Sequence, residues 1–118
     1  MVRIALGQLN TTVGDLDGNA QRIADAAARA TEAGADAIVL PELAITGYPP
    51  EDLLFRSGFL REARRAAEQV AAETTDVAAL VGVPWLDRDL ANGCAICAGG
   101  EIKAVYPKRF LPNYGVFD

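Results

Sequence analysis

The stretch Ile38-Val39-Leu40-Pro41-Glu42-Leu43-Ala44-Ile45-Thr46-Gly47-Tyr48-Pro49-Pro50-Glu51-Asp52 decides how this chain folds. It opens as a short, fully apolar run that halts at a proline, and the next residue is a carboxylate. A continuous apolar run of strand length reads as a central strand buried on both faces. Glu42 then stands where that strand leaves the sheet. In open α/β sheets, groups at the carboxyl ends of strands line the crevice where ligands bind. Thr46-Gly47-Tyr48-Pro49-Pro50 enforces irregular backbone next, because prolines lack a donor and restrict the residue before them. A lone carboxylate after a strand more often caps a turn or meets solvent, so Glu42 needs a second group beside it to become a catalytic candidate.

On the amino-terminal side, Val2 to Gln8 alternates Val2, Ile4 and Leu6 with smaller residues and reads as a first strand. Asp15, Asp17, Gly18 and Asn19 supply turn and N-cap chemistry for a helix. That helix carries Ile23, Ala26, Ala27, Ala30 and Ala33 on one stripe, with Gly34 as a left-handed stop. So many alanines predict a helix lying close against a sheet. With Ala37 to Leu40 as the second strand, this is a β-α-β unit with parallel neighbours.

On the carboxyl side, Glu51 to Phe55 reads as one helical turn. Ser57 is expected to cap a longer helix through about Thr74, burying Leu60, Ala63, Ala67, Val70 and Ala71. Arg61, Glu62, Arg64, Arg65, Glu68 and Glu73 form its solvated side. Ala78 to Val83 is a third apolar strand, stopped by Pro84, and Asp87-Arg88-Asp89 is a polar turn. Ala91 to Ala98 and Glu101 to Tyr106 are strands joined by Gly99-Gly100, a hairpin signal because both positions accept positive φ. The order predicts an α/β fold with a mixed sheet and helices on one face, leaving the other face to be covered.

The closing stretch, Tyr106-Pro107-Lys108-Arg109-Phe110-Leu111-Pro112-Asn113-Tyr114-Gly115-Val116-Phe117-Asp118, leaves its strand at a proline as the Glu42 loop does. Arg109 reads as a surface cation. Lys108 reads as the second group, an amine facing the same crevice as Glu42.

With 118 residues, 51% of them apolar, the chain is one domain or part of one, with enough for a core. The net charge of −5 argues against nucleic acid, whose phosphates need a basic face. No apolar run approaches the roughly 20 residues that span a bilayer, and the first residues are too strand-like for a signal peptide. A cytoplasmic protein with no membrane partner is the expectation. Histidine is absent, which removes Ser-His-Asp and Cys-His chemistry and most zinc sites, so no metal site is expected. Acid–base work falls to Glu, Asp, Lys or Tyr. Cys94 and Cys97 sit three apart in a strand and so point to opposite faces, which suits small buried residues rather than a redox pair.

Leu40-Pro41-Glu42 and Lys108 with Leu111 together resemble the acid motif and the K-x-x-L lysine motif of the nitrilase, or carbon–nitrogen hydrolase, superfamily. The longer stretches Pro41 to Leu54 and Lys108 to Asp118 are similar to one branch, the amino-terminal glutaminase domain of glutamine-dependent NAD synthetases. The resemblance implies the first half of a nitrilase-type α-β-β-α sandwich over residues 1–118. It implies Glu42 as general base, Lys108 as stabiliser of the oxyanion, and Tyr48, Tyr114 and Phe117 as lining for a glutamine pocket.

In that family a cysteine well beyond the lysine motif attacks the amide, and neither Cys94 nor Cys97 matches it. The expectation is therefore a portion truncated before the nucleophile, inactive alone, with apolar sheet left for a partner surface to cover. The resemblance further implies glutamine as substrate and no cofactor in this segment. It places ATP and Mg in a synthetase domain of the parent protein, and it implies homo-oligomeric assembly. Another superfamily amidase or carbamoylase, or a non-catalytic α/β binding module, are the alternatives.

Overall fold

The computed structural model describes residues 1–56, 58–87 and 89–109, and for residues 51, 108 and 109 the backbone alone. Strand β1 (Ile4–Leu6), helix α1 (Leu16–Glu32) and strand β2 (Ala37–Val39) come first. A 3₁₀ turn (Glu51–Phe55), helix α2 (Phe59–Ala72) and strands β3 (Ala78–Leu86), β4 (Leu90–Ala98) and β5 (Glu101–Arg109) follow. The strands form one five-stranded sheet in the order β1-β2-β3-β4-β5. β1, β2 and β3 run parallel, and β4 and β5 return antiparallel. This is the mixed sheet that the order of elements predicts.

Local chemistry sets the ends of these elements. Asp15 caps α1 by accepting a hydrogen bond from the Gly18 amide at 3.1 Å, and Gly34 closes it at φ 80°. Asn19, expected among the capping residues, is instead wholly buried. α1 buries Ala20, Ile23, Ala26, Ala27 and Ala30, whereas Ala33 has left the stripe because it occupies the exposed C-cap. Ser57, the expected cap of α2, lies outside the described residues; Gly58, at φ 89°, holds the N-cap position. α2 buries Ala66 with Ala63, Ala67, Val70 and Ala71, while Leu60 is only half-buried. Its charged side is solvated as expected, except that the Arg64 guanidinium lies over the Trp85 ring, 4.3 Å from the centroid. Gly99 and Gly100, at φ 60° and 86°, make the two-residue turn between β4 and β5.

Two strands run past the prolines expected to stop them. β3 continues through Pro84, paired with Asn92. The carbonyls of Leu80 and Gly82 are taken from the β2 side, by the amides of Leu40 and Ile45. By the alternation of the strand, the donor that Pro84 lacks would also face that side, beyond the end of β2, where no ladder bond is lost. β5 continues through Pro107, which an edge strand tolerates. Lys108 is therefore in a strand, not on a loop.

Both helices pack on one face of the sheet. Ile38, Leu40, Ala79, Val81, Val83, Ala95 and Cys97 from the strands meet Ile23, Val70 and the alanine stripes there. On the other face Leu6, Val39, Leu80, Ile96 and Ala104 stand opposite one another in register, a row across all five strands. Leu6 is 73% exposed and Val39 36% exposed. β2 is thus buried on one face, not on both: the apolar run is continuous because the second face is also built for burial.

Candidate functional site

The chain leaves β2 through a tight turn that the sheet holds from below. After the Leu40 amide bonds to Leu80, Leu43 adopts φ 50° while fully buried. A side chain rarely tolerates this left-handed region, and such strain persists only where the surroundings over-determine it. Here the amides of Thr46 and Gly47 both bond to the Leu43 carbonyl, at 3.2 and 3.0 Å, and the Ile45 amide bonds to Gly82 at 3.1 Å. The turn can sit this low only because residue 82 is glycine. A Cβ there would collide with the Leu43 amide nitrogen and lie 2.8 Å from the Pro41 oxygen.

Asn19 ties the turn down from the side. Its Nδ2 donates to the carbonyls of Thr12 (2.8 Å) and Ile45 (2.9 Å), and its Oδ1 accepts from the Thr12 amide (2.8 Å). The Gly14 amide adds a bond to the Thr46 carbonyl at 2.9 Å. Two loops far apart in sequence are thereby fixed to each other around one buried amide.

This framework delivers Glu42 to the uncovered side of the sheet, at a shallow depression of about 230 Å³. Pro41, Glu42, Gly82, Asn92, Cys94 and Tyr106 are among its lining residues. The Asn92 side-chain amide donates to Glu42 Oε1. Asn92 itself is buried, and its backbone pairs with Pro84 on one side and Lys108 on the other. Cross-strand partners share a face of the sheet, which puts position 108 on the same face as Asn92. Glu42 is exposed and lines the depression, with one carboxylate oxygen held by Asn92.

Tyr48 is exposed on the loop that follows and is not among the described residues lining the depression. Tyr114 and Phe117 lie outside the described residues. Three residues of the site were not among the sequence candidates: Asn92, Tyr106 and Cys94. Asn92 left a signal, because a lone amide inside the small apolar run from Ala91 to Ala98 must find a partner once buried.

The two cysteines divide between the faces, as the spacing predicts. Cys97 is fully buried beneath the helices, where burial, with a smaller contribution from Cys94, pushes its thiol up to about 11. Burial also raises the Cys94 thiol in the depression, so neither is a thiolate at neutral pH. No group of three or more His, Cys, Asp or Glu side chains suited to a metal occurs among the described residues. Nor is any helix among them long and apolar enough to cross a membrane.

Comparison with known proteins gives this geometry a family. Residues 3–113 match the family described as carbon-nitrogen hydrolase. The chain is 45% identical over 119 residues to the glutamine-dependent NAD(+) synthetase of Thermotoga maritima, covering 99% of this chain and 21% of that protein. The crystal structure of a glutamine-dependent NAD(+) synthetase from Cytophaga hutchinsonii matches with a TM-score of 0.88 at 32% identity, over 98% of this chain and 20% of that one. A variant of the amidase from Nesterenkonia sp. AN1, in which acrylamide has added at the active site cysteine, matches with a TM-score of 0.76 at 28% identity. It covers 100% of this chain and 49% of the amidase. The chain thus spans about a fifth of the length of the synthetases, at 21% and 20%. From its strand-end glutamate to the paired strands beyond, the chain belongs to the carbon–nitrogen hydrolase family.

Proposed function

We propose that residues 1–118 are the opening part of a glutaminase domain in a glutamine-dependent NAD synthetase. The observation that carries the reading is the register at the depression. Glu42 is bonded to Asn92, and Asn92 stands opposite Lys108, so an acid and a lysine position meet at one end of the sheet. The relatives named above, glutamine-dependent NAD(+) synthetases, support the choice of glutamine.

In this reaction Glu42 takes the proton of a cysteine supplied by the parent protein beyond this chain. The thiolate attacks the glutamine side-chain carbonyl, and Lys108 stabilises the oxyanion that forms. The tetrahedral intermediate collapses to a thioester as ammonia leaves with the proton. Glu42 then activates water, which releases glutamate and restores the thiol. Tyr48, Tyr114 and Phe117 line the glutamine pocket.

The ammonia passes to a synthetase domain of the parent, where ATP and Mg support adenylation of nicotinic acid adenine dinucleotide. The protein works in the cytoplasm as a homo-oligomer. The uncovered row from Leu6 to Ala104 is closed by the rest of the same domain, and without that half this chain alone hydrolyses nothing. The amidase likeness favours one second reading, an amidase or carbamoylase of the same family.

Incubating the parent protein with glutamine and with N-carbamoyl amino acids separates the two. Ammonia release from glutamine is expected, falling about 10²–10⁴-fold in Glu42→Ala. Turnover of carbamoyl substrates with none of glutamine would sink the leading reading.

A further inference from the structure

We propose that Asn92 is the positioning residue for Glu42: its amide holds one carboxylate oxygen in place and leaves the other free for proton transfer. The proposal rests on the reading of Glu42 as general base.

Three features of the structure point this way. Glu42 is exposed on a turn, where an unpartnered glutamate side chain would sample several rotamers. Asn92 is buried on β4, which is paired on both sides, by β3 and by β5, so its side chain starts from a fixed base. Its Nδ2 donates to Oε1 of Glu42, 50 residues away in sequence, joining an exposed side chain to a buried one.

The choice of an amide has chemical consequences. A carboxamide donates a hydrogen bond without carrying a titrating proton, so it holds the carboxylate without competing for the proton the base must accept. A lysine in this place would bring full charge and suppress the basicity of the acid it holds. Among the described residues the other titratable groups at the depression are Cys94 on β4 and Tyr106 on β5, and Lys108 lies opposite Asn92 in register.

A merely structural role would make Asn92 a buried polar group that happened to find Glu42. The two roles part in the pH dependence of glutamine hydrolysis by the parent protein. Asn92→Asp keeps size and shape but replaces the donor with a second carboxylate. The proposal expects the acid limb of its kcat/KM profile to move up by about one pH unit or more, because like charges disfavour ionisation. It also expects kcat at neutral pH to fall about tenfold or more, with KM for glutamine within about twofold. Asn92→Ala should lower kcat with KM for glutamine little changed, and it carries the test if the Asp variant does not accumulate as folded protein.

An acid limb that stays in place in the folded variants, with kcat within about twofold of the parent, overturns the proposal and leaves the role of Glu42 standing. Full glutamine hydrolysis by Glu42→Ala overturns the general-base reading itself, and the proposal with it.

Discussion

The two faces of this sheet are built from the same apolar alphabet and meet different fates. Toward the helices the strands present Ile38, Leu40, Ala79, Val81, Val83, Ala95 and Cys97, and the helices answer with alanine stripes. Away from the helices they present Leu6, Val39, Leu80, Ile96 and Ala104 in one row, with Leu6 and Val39 exposed and Leu80 and Ile96 half-buried. An apolar row on the second face suits a second layer standing about 10 Å off, the spacing at which two sheets interdigitate. The open face therefore carries the signature of a buried surface awaiting its second layer, and the Glu42 depression lies on that same side. The contrast teaches that the open row and the Glu42 depression share one face of the sheet.

The largest expected effect comes from the point where the turn meets the sheet. In Gly82→Ala the new methyl collides with the Leu43 backbone, and the turn bearing Glu42 must lift. Overpacking of this kind costs about 1–3 kcal/mol. A displacement of about 1 Å at a reacting group lowers rate about 100-fold, so on the proposed function glutamine hydrolysis by the parent should fall by at least that factor. Activity within a few-fold of the unmodified protein would mean that the placement of Glu42 does not depend on the sheet beneath it.

The contrast between the faces is tested directly by a matched pair. Ile23 is fully buried on the covered side, and Ile23→Ala should destabilise the chain by about 2–5 kcal/mol in equilibrium urea denaturation. Leu6 is 73% exposed, and Leu6→Ala should cost less than about 1 kcal/mol, because little of it leaves water on folding. Equal costs would erase the distinction between covered and open faces. In the parent protein the Leu6 substitution should become markedly more damaging, which would show that the rest of the domain sits on that row.

Asn19 comes next. Removing its side chain in Asn19→Ala strips hydrogen bonds from the Thr12 amide and from the carbonyls of Thr12 and Ile45, in a place water does not readily reach. A buried group left unsatisfied costs about 1–3 kcal/mol, and a loss in that range is expected from the shift in the denaturation midpoint. A neutral outcome would show that the two loops hold each other without it.

Most of this architecture was legible in the order of the residues. Helical spacing located α1 and α2, Gly99-Gly100 marked the hairpin, and the apolar runs marked the strands, because each of these signals acts within a few residues. The prolines misled, since a missing donor matters only where a neighbouring strand waits for it, and neither Pro84 nor Pro107 faces one. Val39 misled for a related reason: pattern reports what a face is suited to, not whether its cover is present. Within the site, Glu42 was readable from its place after a strand. Asn92 was readable only as an amide in need of a partner, because that partner lies 50 residues away. The left-handed Leu43 gave no sign either, because the strain is imposed by Gly82 and Asn19 rather than by its own type.

The two cysteines supply the smallest and most direct probe of the faces. Cys97 lies under the helices and Cys94 in the depression, so iodoacetamide should label Cys94 of the native chain first, as read by peptide mass spectrometry. Both thiols are raised by burial, so labelling should be slow at neutral pH and quicken as the solution becomes alkaline. The same burial links Cys97 to stability. Between the ordinary thiol value of 9.0 and about 11, the unfolded chain gives up the Cys97 proton while the folded chain keeps it. Unfolding then releases a proton, and stability falls as pH rises through that window, having been fully present below it. Cys97→Ala should lack this part of the alkaline decline. The unmodified chain should show it in denaturation midpoints taken across the window. A decline of the same slope in both would place Cys97 in water, and with it the face that the helices are held to cover.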